Sequence, residues 1–322
     1  MSAPVFLAPP GSLTDVSPGM RYLLDGPEGR HAAVVQRRET GERIDICDGA
    51  GIRLHCVVAG NASAGSTAGA AGRGGKGADT LAVDVQAVVS EPAPAPIVTL
   101  VQALAKGDRD IQAIEAAVEC GVDAVIPWQA NRSITRWKPE RAAKSHAKWV
   151  DTARAASKQA RRAWTPPVDQ LHTTKQLAAR AREVVAAGGA ALILHEEAAS
   201  SIIGAPIPMV EQGTERPPIE TTPVNLLVIV GPEGGIGDDE LALLTDAGAV
   251  AVRLGPHVMR TSTAGPVAVA LLCQRLGRWE LPPGIASNTA SHAASNVALN
   301  ATPNARPDDA PINQPAFPGA DG

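Results

Sequence analysis

The chain has 322 residues, 44% of them hydrophobic, and a formal net charge of −4. That length can bury a full core and hold two domains, and the balance of charge excludes a uniformly basic nucleic-acid binder while leaving room for a local basic patch. No apolar run approaches the roughly 18 residues of a membrane span, residues 1–19 lack the pattern of a secretory signal, and Cys47, Cys56, Cys120 and Cys273 are too scattered for a metal site or a disulfide framework. A cytosolic protein without membrane or metal partners is expected, its cysteines serving as small core residues.

Residues 1–90 read as short β-strands. Arg43-Ile44-Asp45-Ile46-Cys47 alternates, Asp48-Gly49-Ala50-Gly51 is a turn, and residues 52–58 return as the second arm of a hairpin. Residues 61–77 are almost all Gly, Ala and Ser with Arg73 and Lys76, the composition of a flexible loop before a strand at 80–89. Glu91-Pro92-Ala93-Pro94-Ala95-Pro96 is a stiff linker, which places a domain boundary at 91–96 between a small β domain (1–90) and a second domain (97–282).

From Ile97 strands alternate with helices. Strands are predicted at 97–102, 122–127, 190–195, 225–230 and 249–254, and helices at 109–120, 140–164, 174–187, 238–247 and 263–279, an α/β pattern with a mostly parallel sheet. Clustered prolines between Ile202 and Thr222 predict a long surface loop. Residues 283–322 are Ala, Asn, Pro and Ser with few charges, a disordered tail.

The second domain is organised around Val228-Ile229-Val230-Gly231-Pro232-Glu233-Gly234-Gly235-Ile236-Gly237, a strand breaking into a glycine-rich turn and then a helix. Glycines let a ligand approach bare backbone, and Pro232 stiffens the bend. Asp238, Asp239 and Glu240 in the first helical turn suit the positive end of the helix dipole but repel phosphate, which disfavours a nucleotide cradle. Ligands of open parallel sheets bind beyond the carboxyl ends of strands. Two more strand ends stand out there: Leu192-Ile193-Leu194 running into His195-Glu196, and the 250–254 run leading to Gly255-Pro256-His257-Val258-Met259-Arg260-Thr261. Together the three loops form one candidate pocket of backbone amides and a few side chains. A lone histidine at a strand end is more often structural than functional, whereas Arg260 between a Gly-Pro loop and a helix start suits oxyanion stabilisation, with a surface salt bridge as its ordinary alternative.

Between Arg132 and Arg162 ten lysines and arginines face only Glu140 and Asp151, a local charge of +8. At about 100° per residue, Arg141, Lys144, Lys148, Lys158 and Arg162 share one face of the predicted 140–164 helix, and Trp149, Ala153, Ala156, Ala160 and Trp164 share the opposite one. One face packs and the other suits a polyanion such as nucleic acid.

The paired motifs Gly231-Pro232-Glu233-Gly234-Gly235 and Leu254-Gly255-Pro256 through Val258-Met259-Arg260-Thr261 to Thr263-Ala264 resemble the RsmE family of SPOUT methyltransferases. Supporting matches are Gln102-Ala103-Leu104-Ala105-Lys106-Gly107, Glu119-Cys120-Gly121-Val122, Lys148-Trp149, Gln159 with Arg162, and Leu194-His195-Glu196. The resemblance implies a SPOUT-type α/β fold with a C-terminal trefoil knot, preceded by a PUA-like β-barrel that binds RNA; His31-Ala32-Ala33-Val34-Val35 and the Asp48-Gly49 hairpin carry that last part. It implies a homodimeric enzyme that uses S-adenosylmethionine to methylate N3 of a uridine in 16S ribosomal RNA of the small subunit. The cofactor would lie on Leu194, His195, Gly231, Pro232, Gly234, Gly235, Leu254, Gly255, Val258, Met259, Arg260 and Thr261, and RNA on Lys106, Arg132, Arg136, Lys144, Lys148, Gln159 and Arg162. Arg260 would stabilise the uracil anion, and Glu233 is the nearest motif carboxylate to accept the proton. Where many members carry Arg-Thr-Glu-Thr this chain has Arg260-Thr261-Ser262-Thr263, so no carboxylate at 262 acts as base, and His257 stands where many carry arginine. Rival readings are a related enzyme methylating a ribose hydroxyl or another base, and a non-catalytic RNA-binding protein.

Overall fold

Strand β10 (Asn225–Val230) explains the larger of two sheets. Leu226, Val228 and Val230 enter one apolar cluster, while Leu227 and Ile229 enter another. Alternate residues leave a strand on opposite faces, so an unbroken apolar run demands burial on both sides, the condition of a parallel sheet between helix layers. A computed structural model describes residues 3–61, 80–208 and 224–280. The expected loop within 61–77 beyond Asn61, the 202–222 loop from Met209 onward and the expected tail from 283 lie outside the described residues.

The larger sheet comprises β6 (Ile97–Ala103), β7 (Ala124–Gln129), β8 (His172–Thr173), β9 (Ala190–Leu194), β10 and β11 (Val250–Val252) in the order β11-β9-β10-β6-β7-β8, with every pairing parallel. Helices α2 (Arg109–Cys120), α3 (Pro139–Gln159) and α6 (Thr261–Arg275) bury Ile114, Val118, Trp149, Ala153, Val269 and Leu272 on one face. Helices α4 (Thr174–Ala186) and α5 (Asp238–Asp246) bury Leu177, Ala181, Val184 and Leu244 on the other. Helix α4 begins in a capping box, Thr173 accepting from the Gln176 amide while the Gln176 side chain accepts from Thr173.

The smaller sheet has five strands, β1 (Val5–Leu7), β2 (Arg21–Leu24), β3 (Arg43–Cys47), β4 (Ile52–Asn61) and β5 (Leu81–Ser90), in the order β1-β3-β4-β5-β2. Asp48 folds the expected hairpin by accepting from the Ala50 and Ile52 amides at 2.8 and 3.0 Å. One expectation needs correction here. The segment between β2 and β3 is not strand but the short helix α1 (Gly26–Arg30) followed by a π-helical turn at His31–Val35. Val5–Leu7, moreover, pairs in parallel with β3, a long-range pairing that three apolar residues do not advertise. Both sheets lie within one compact unit, Met1–Arg278, and of the second unit, Trp279–Gly322, only two residues are described.

Helix α3 ends at Gln159, five residues short of expectation, because Arg161 turns left-handed (φ 56°) and the residues after it are held elsewhere. Arg162 donates to the Val118 and Val122 carbonyls and pairs with Asp123, and Trp164 bridges Ala50 and donates to the Glu91 carbonyl. Asp123, 3% exposed at its side chain, also pairs with Arg278 and accepts from the Val98 amide. Tertiary anchoring thus overrides helix propensity. Helix α6 likewise starts two residues early and stops at Arg275. Burial pushes the Cys47 and Cys56 thiols up to about 12, so they stay protonated and pack as small apolar groups. Among the described residues no helix is long and apolar enough to cross a membrane.

Candidate active site

The strand order reverses between β10 and β6: β7 and β8 extend the sheet to one side, β9 and β11 to the other. The crevice outside the carboxyl ends at such a reversal is where open α/β sheets bind ligands. The loops leaving β6 and β10 meet there, the Glu233 carboxylate accepting from the Lys106 amide at 3.0 Å and from the Arg109 guanidinium at 2.9 Å.

A cavity of about 340 Å³ opens at this point. Its walls are Gly231, Pro232, Glu233, Gly235 and Ile236 from the β10 loop, Leu194, His195 and Glu196 from the β9 loop, and Val258, Met259, Arg260 and Thr261 ahead of α6. An adjoining recess of about 110 Å³ shares Leu194, His195 and Met259 and adds Leu254, Gly255, Pro256 and His257. Of the twelve expected cofactor contacts, Gly234 alone lines neither space; it turns outward, where a Cβ would stand 3.1 Å from the Cβ of Arg132.

The pocket is held by a relay the sequence did not reveal. Fully buried Gln102 donates through Nε2 to Thr261 Oγ1 at 2.9 Å, and Thr261 donates to the Gly231 carbonyl at 2.8 Å, pinning β6, the glycine loop and the start of α6 together. Behind the loop, buried Glu240 accepts from the Asn131 amide, from Thr174 Oγ1 and, through its other oxygen, from the Gly237 amide. Arg109 also lines the cavity, a place that its sequence position beside Lys106-Gly107 does not by itself reveal.

The electrostatics are uneven. Arg260 is exposed on the cavity wall and forms no ion pair among the described residues. Burial alone would raise the Glu233 carboxyl, but hydrogen bonds from its own amide, Arg109 and the Lys106 amide outweigh it and hold the group below its ordinary value. A carboxylate held this way is a weaker base than a free one, which weighs against the proton-accepting role expected of it. His195 Nδ1 accepts from the Glu197 amide at 3.2 Å, which leaves the ring proton on Nε2.

The expected RNA contacts divide. Lys106, Arg132, Arg136, Lys144, Lys148 and Gln159 are exposed. Lys148 pairs with exposed Asp108 at 2.7 Å, and Arg136 donates to the Asn131 carbonyl. Arg162 departs from expectation: it lies past the helix end, turned inward, and burial lowers its pKa despite Asp123. A guanidinium engaged by a carboxylate and two carbonyls has little surface left for a phosphate. Lys158, counted on the same face, lies over the Phe6 ring and pairs with Glu28 at 2.7 Å.

Residues 91–273 match the model of a family described as the RNA methyltransferase domain. The ribosomal RNA small subunit methyltransferase E of Mycobacterium bovis is 45% identical over 81% of this chain and 89% of its own length, and that of Bacillus subtilis is 26% identical over 78% and 89%. A Legionella pneumophila structure with bound cofactor SAM superposes with TM-score 0.66 at 25% identity, covering 85% of this chain and 98% of that one. The Neisseria gonorrhoeae ribosomal RNA small subunit methyltransferase E bound to S-adenosyl methionine gives 0.64 at 24% over 85% and 98%. The chain belongs to the RNA methyltransferase family and, within it, to the ribosomal RNA small subunit methyltransferase E group.

Proposed function

We propose that this protein uses S-adenosylmethionine to methylate N3 of a uridine in the 16S RNA of the small ribosomal subunit. The observation that carries the reading is the three-loop cavity at the β6–β10 reversal with unpaired Arg260 on its wall, in a chain of this family. The cofactor fits what is present: the volume is within the range of small-molecule sites, and a side chain at Gly231 would strike Ile236 Cγ1 at 2.7 Å, so the turn closes tightly with Gly231 and Gly235 on the cavity wall. Gly231, Gly235, Leu194, Met259 and the Leu254-Gly255 turn would hold it. When bound it supplies an electrophilic methyl group.

The chain's own residues have two further tasks. Positioning the uracil in line provides much of the rate. Arg260 beside a uracil oxygen stabilises the anion left when N3 loses its proton. With Glu233 tied to Arg109, that proton leaves to solvent rather than to the motif carboxylate.

In this reading residues 1–90 act as a PUA-like RNA-binding barrel, the 91–96 linker joins them to a knotted SPOUT domain at 97–282, the enzyme is a cytoplasmic homodimer, and Lys106, Arg132, Arg136, Lys144 and Lys148 contact phosphates. Nucleoside mass spectrometry of 16S RNA from cells lacking the protein tests it. Loss of one 3-methyluridine is expected; loss of a ribose-methylated nucleoside or of another methylated base would replace the reading.

A further inference from the structure

Arg132 touches the glycine loop from the side away from the cavity. Its Cβ and carbonyl occupy the place where a Gly234 side chain would stand, at 3.1 and 3.2 Å, and its Nη1 donates to the Gly234 carbonyl at 3.3 Å. The guanidinium also covers Gly235 and Gly237, lying 3.8 Å from a Cβ at either. The residue before it is fastened to the same loop, since Glu240 accepts from both the Asn131 and the Gly237 amides. The residue after it, Ser133, buries a hydroxyl with no partner among the described residues. The loop is thus docked through Asn131 and Arg132 and leaves one buried hydroxyl unsatisfied beside them.

Arg132 is itself exposed, and of its five N–H donors one goes to Gly234, which leaves the others without a side-chain or backbone acceptor among the described residues. We infer that Arg132 is a positioning residue that couples RNA binding to the cofactor loop: a backbone phosphate held by its free N–H groups fixes the guanidinium over Gly234–Gly237 and stiffens the loop that lines the cofactor cavity. Ordering by one ligand lowers the ordering cost of the other, so each binds more tightly in the presence of its partner. The inference rests on the proposed function and extends it from two separate sites to one coupled pair. Lysine is not equivalent here, because a single ammonium cannot serve a carbonyl and a phosphate in the planar fork geometry of guanidinium.

The test is a binding cycle with the full chain: the affinity for S-adenosylhomocysteine, an unreactive probe, measured with and without small ribosomal subunits that lack the modification. The wild type should bind the probe about tenfold more tightly with subunits present, a typical coupling. In Arg132→Ala the ratio should fall close to one while the affinity of the free protein changes much less. Arg132→Lys should regain subunit affinity without regaining the ratio. Gly234→Ala, which pushes on the same contact from the other side, should lose the ratio with Arg132 intact. A wild-type ratio of one, or an unchanged ratio in folded Arg132→Ala, overturns the inference. If the wild type binds neither probe nor subunits, the proposed function falls with it; if both bind and the ratio ignores Arg132, only the inference falls.

Discussion

The cavity wall and helix α3 both carry cations, in opposite condition. Read from sequence, α3 offers a row of five on one face, but Lys158 is engaged by Glu28 and Phe6, and Arg162 by Asp123 and two carbonyls. On the cavity wall Glu233 takes up Arg109, while Arg260 is left without an ion pair among the described residues. Charge counted along a sequence is therefore not charge available to a ligand. What separates the regions is whether folding brings an anion to the cation, which strand topology decides and helix periodicity does not.

The largest expected effect sharpens the structural side of that contrast. Asp123→Ala strands two arginines that share one buried carboxylate, so stability should fall by about 3–5 kcal/mol, as when one member of a buried ion pair is removed; urea unfolding followed by fluorescence measures it. Next comes Gly235→Val. Gly235 has φ +72° on the cavity wall, where a β-branched residue is strained by roughly 1–3 kcal/mol, so the main chain that lines the cavity is forced out of place. Calorimetry should find no measurable S-adenosylmethionine binding in a variant that still melts cooperatively, and unchanged affinity would move the cofactor elsewhere.

A smaller effect separates available from engaged cations. Lys144→Ala should lower the salt slope of RNA binding by about one unit, whereas Lys158→Ala, whose cation already serves Glu28, should leave the slope alone and cost stability instead. Equal slopes in titrations across ionic strength would erase the distinction. The smallest effect concerns Glu233. Its folded pKa lies below the unfolded one, so its contribution to stability is complete above the unfolded value and is lost as pH falls through the folded value. Glu233→Gln should remove that acid-range component of the melting temperature. It should also reduce turnover less than tenfold, far below the roughly 10²–10⁴ of a general base; a loss in the latter range would restore Glu233 as proton acceptor.

Much of this was legible in the residues. The Leu226 to Val230 run requires a strand covered on both faces, and once five strands alternate with helices the loops at their carboxyl ends are forced together at the reversal. The 231–237 and 254–261 loops follow from that pattern. The rest depends on partners distant in sequence. The end of α3 is set by Asp123 and Ala50, which the apolar period of the helix cannot report. Arg109 becomes a wall residue only because β6 and β10 are neighbours, and Gln102, a polar residue in an apolar strand, shows its purpose only when Thr261 is opposite it.

The central claim is that Arg260 is left unpaired in order to meet the anion of the reaction, and single-turnover methylation of small ribosomal subunits by Arg260→Ala across a pH series tests it most directly. Turnover should fall by roughly 10²–10³, the effect of losing one oxyanion donor, with RNA and cofactor affinity changed far less. Because the uracil anion forms more readily as pH rises, the deficit should shrink in alkaline buffer. A deficit that is constant with pH, or one accounted for entirely by weaker RNA or cofactor binding, would contradict the claim and leave Arg260 as part of the scaffold.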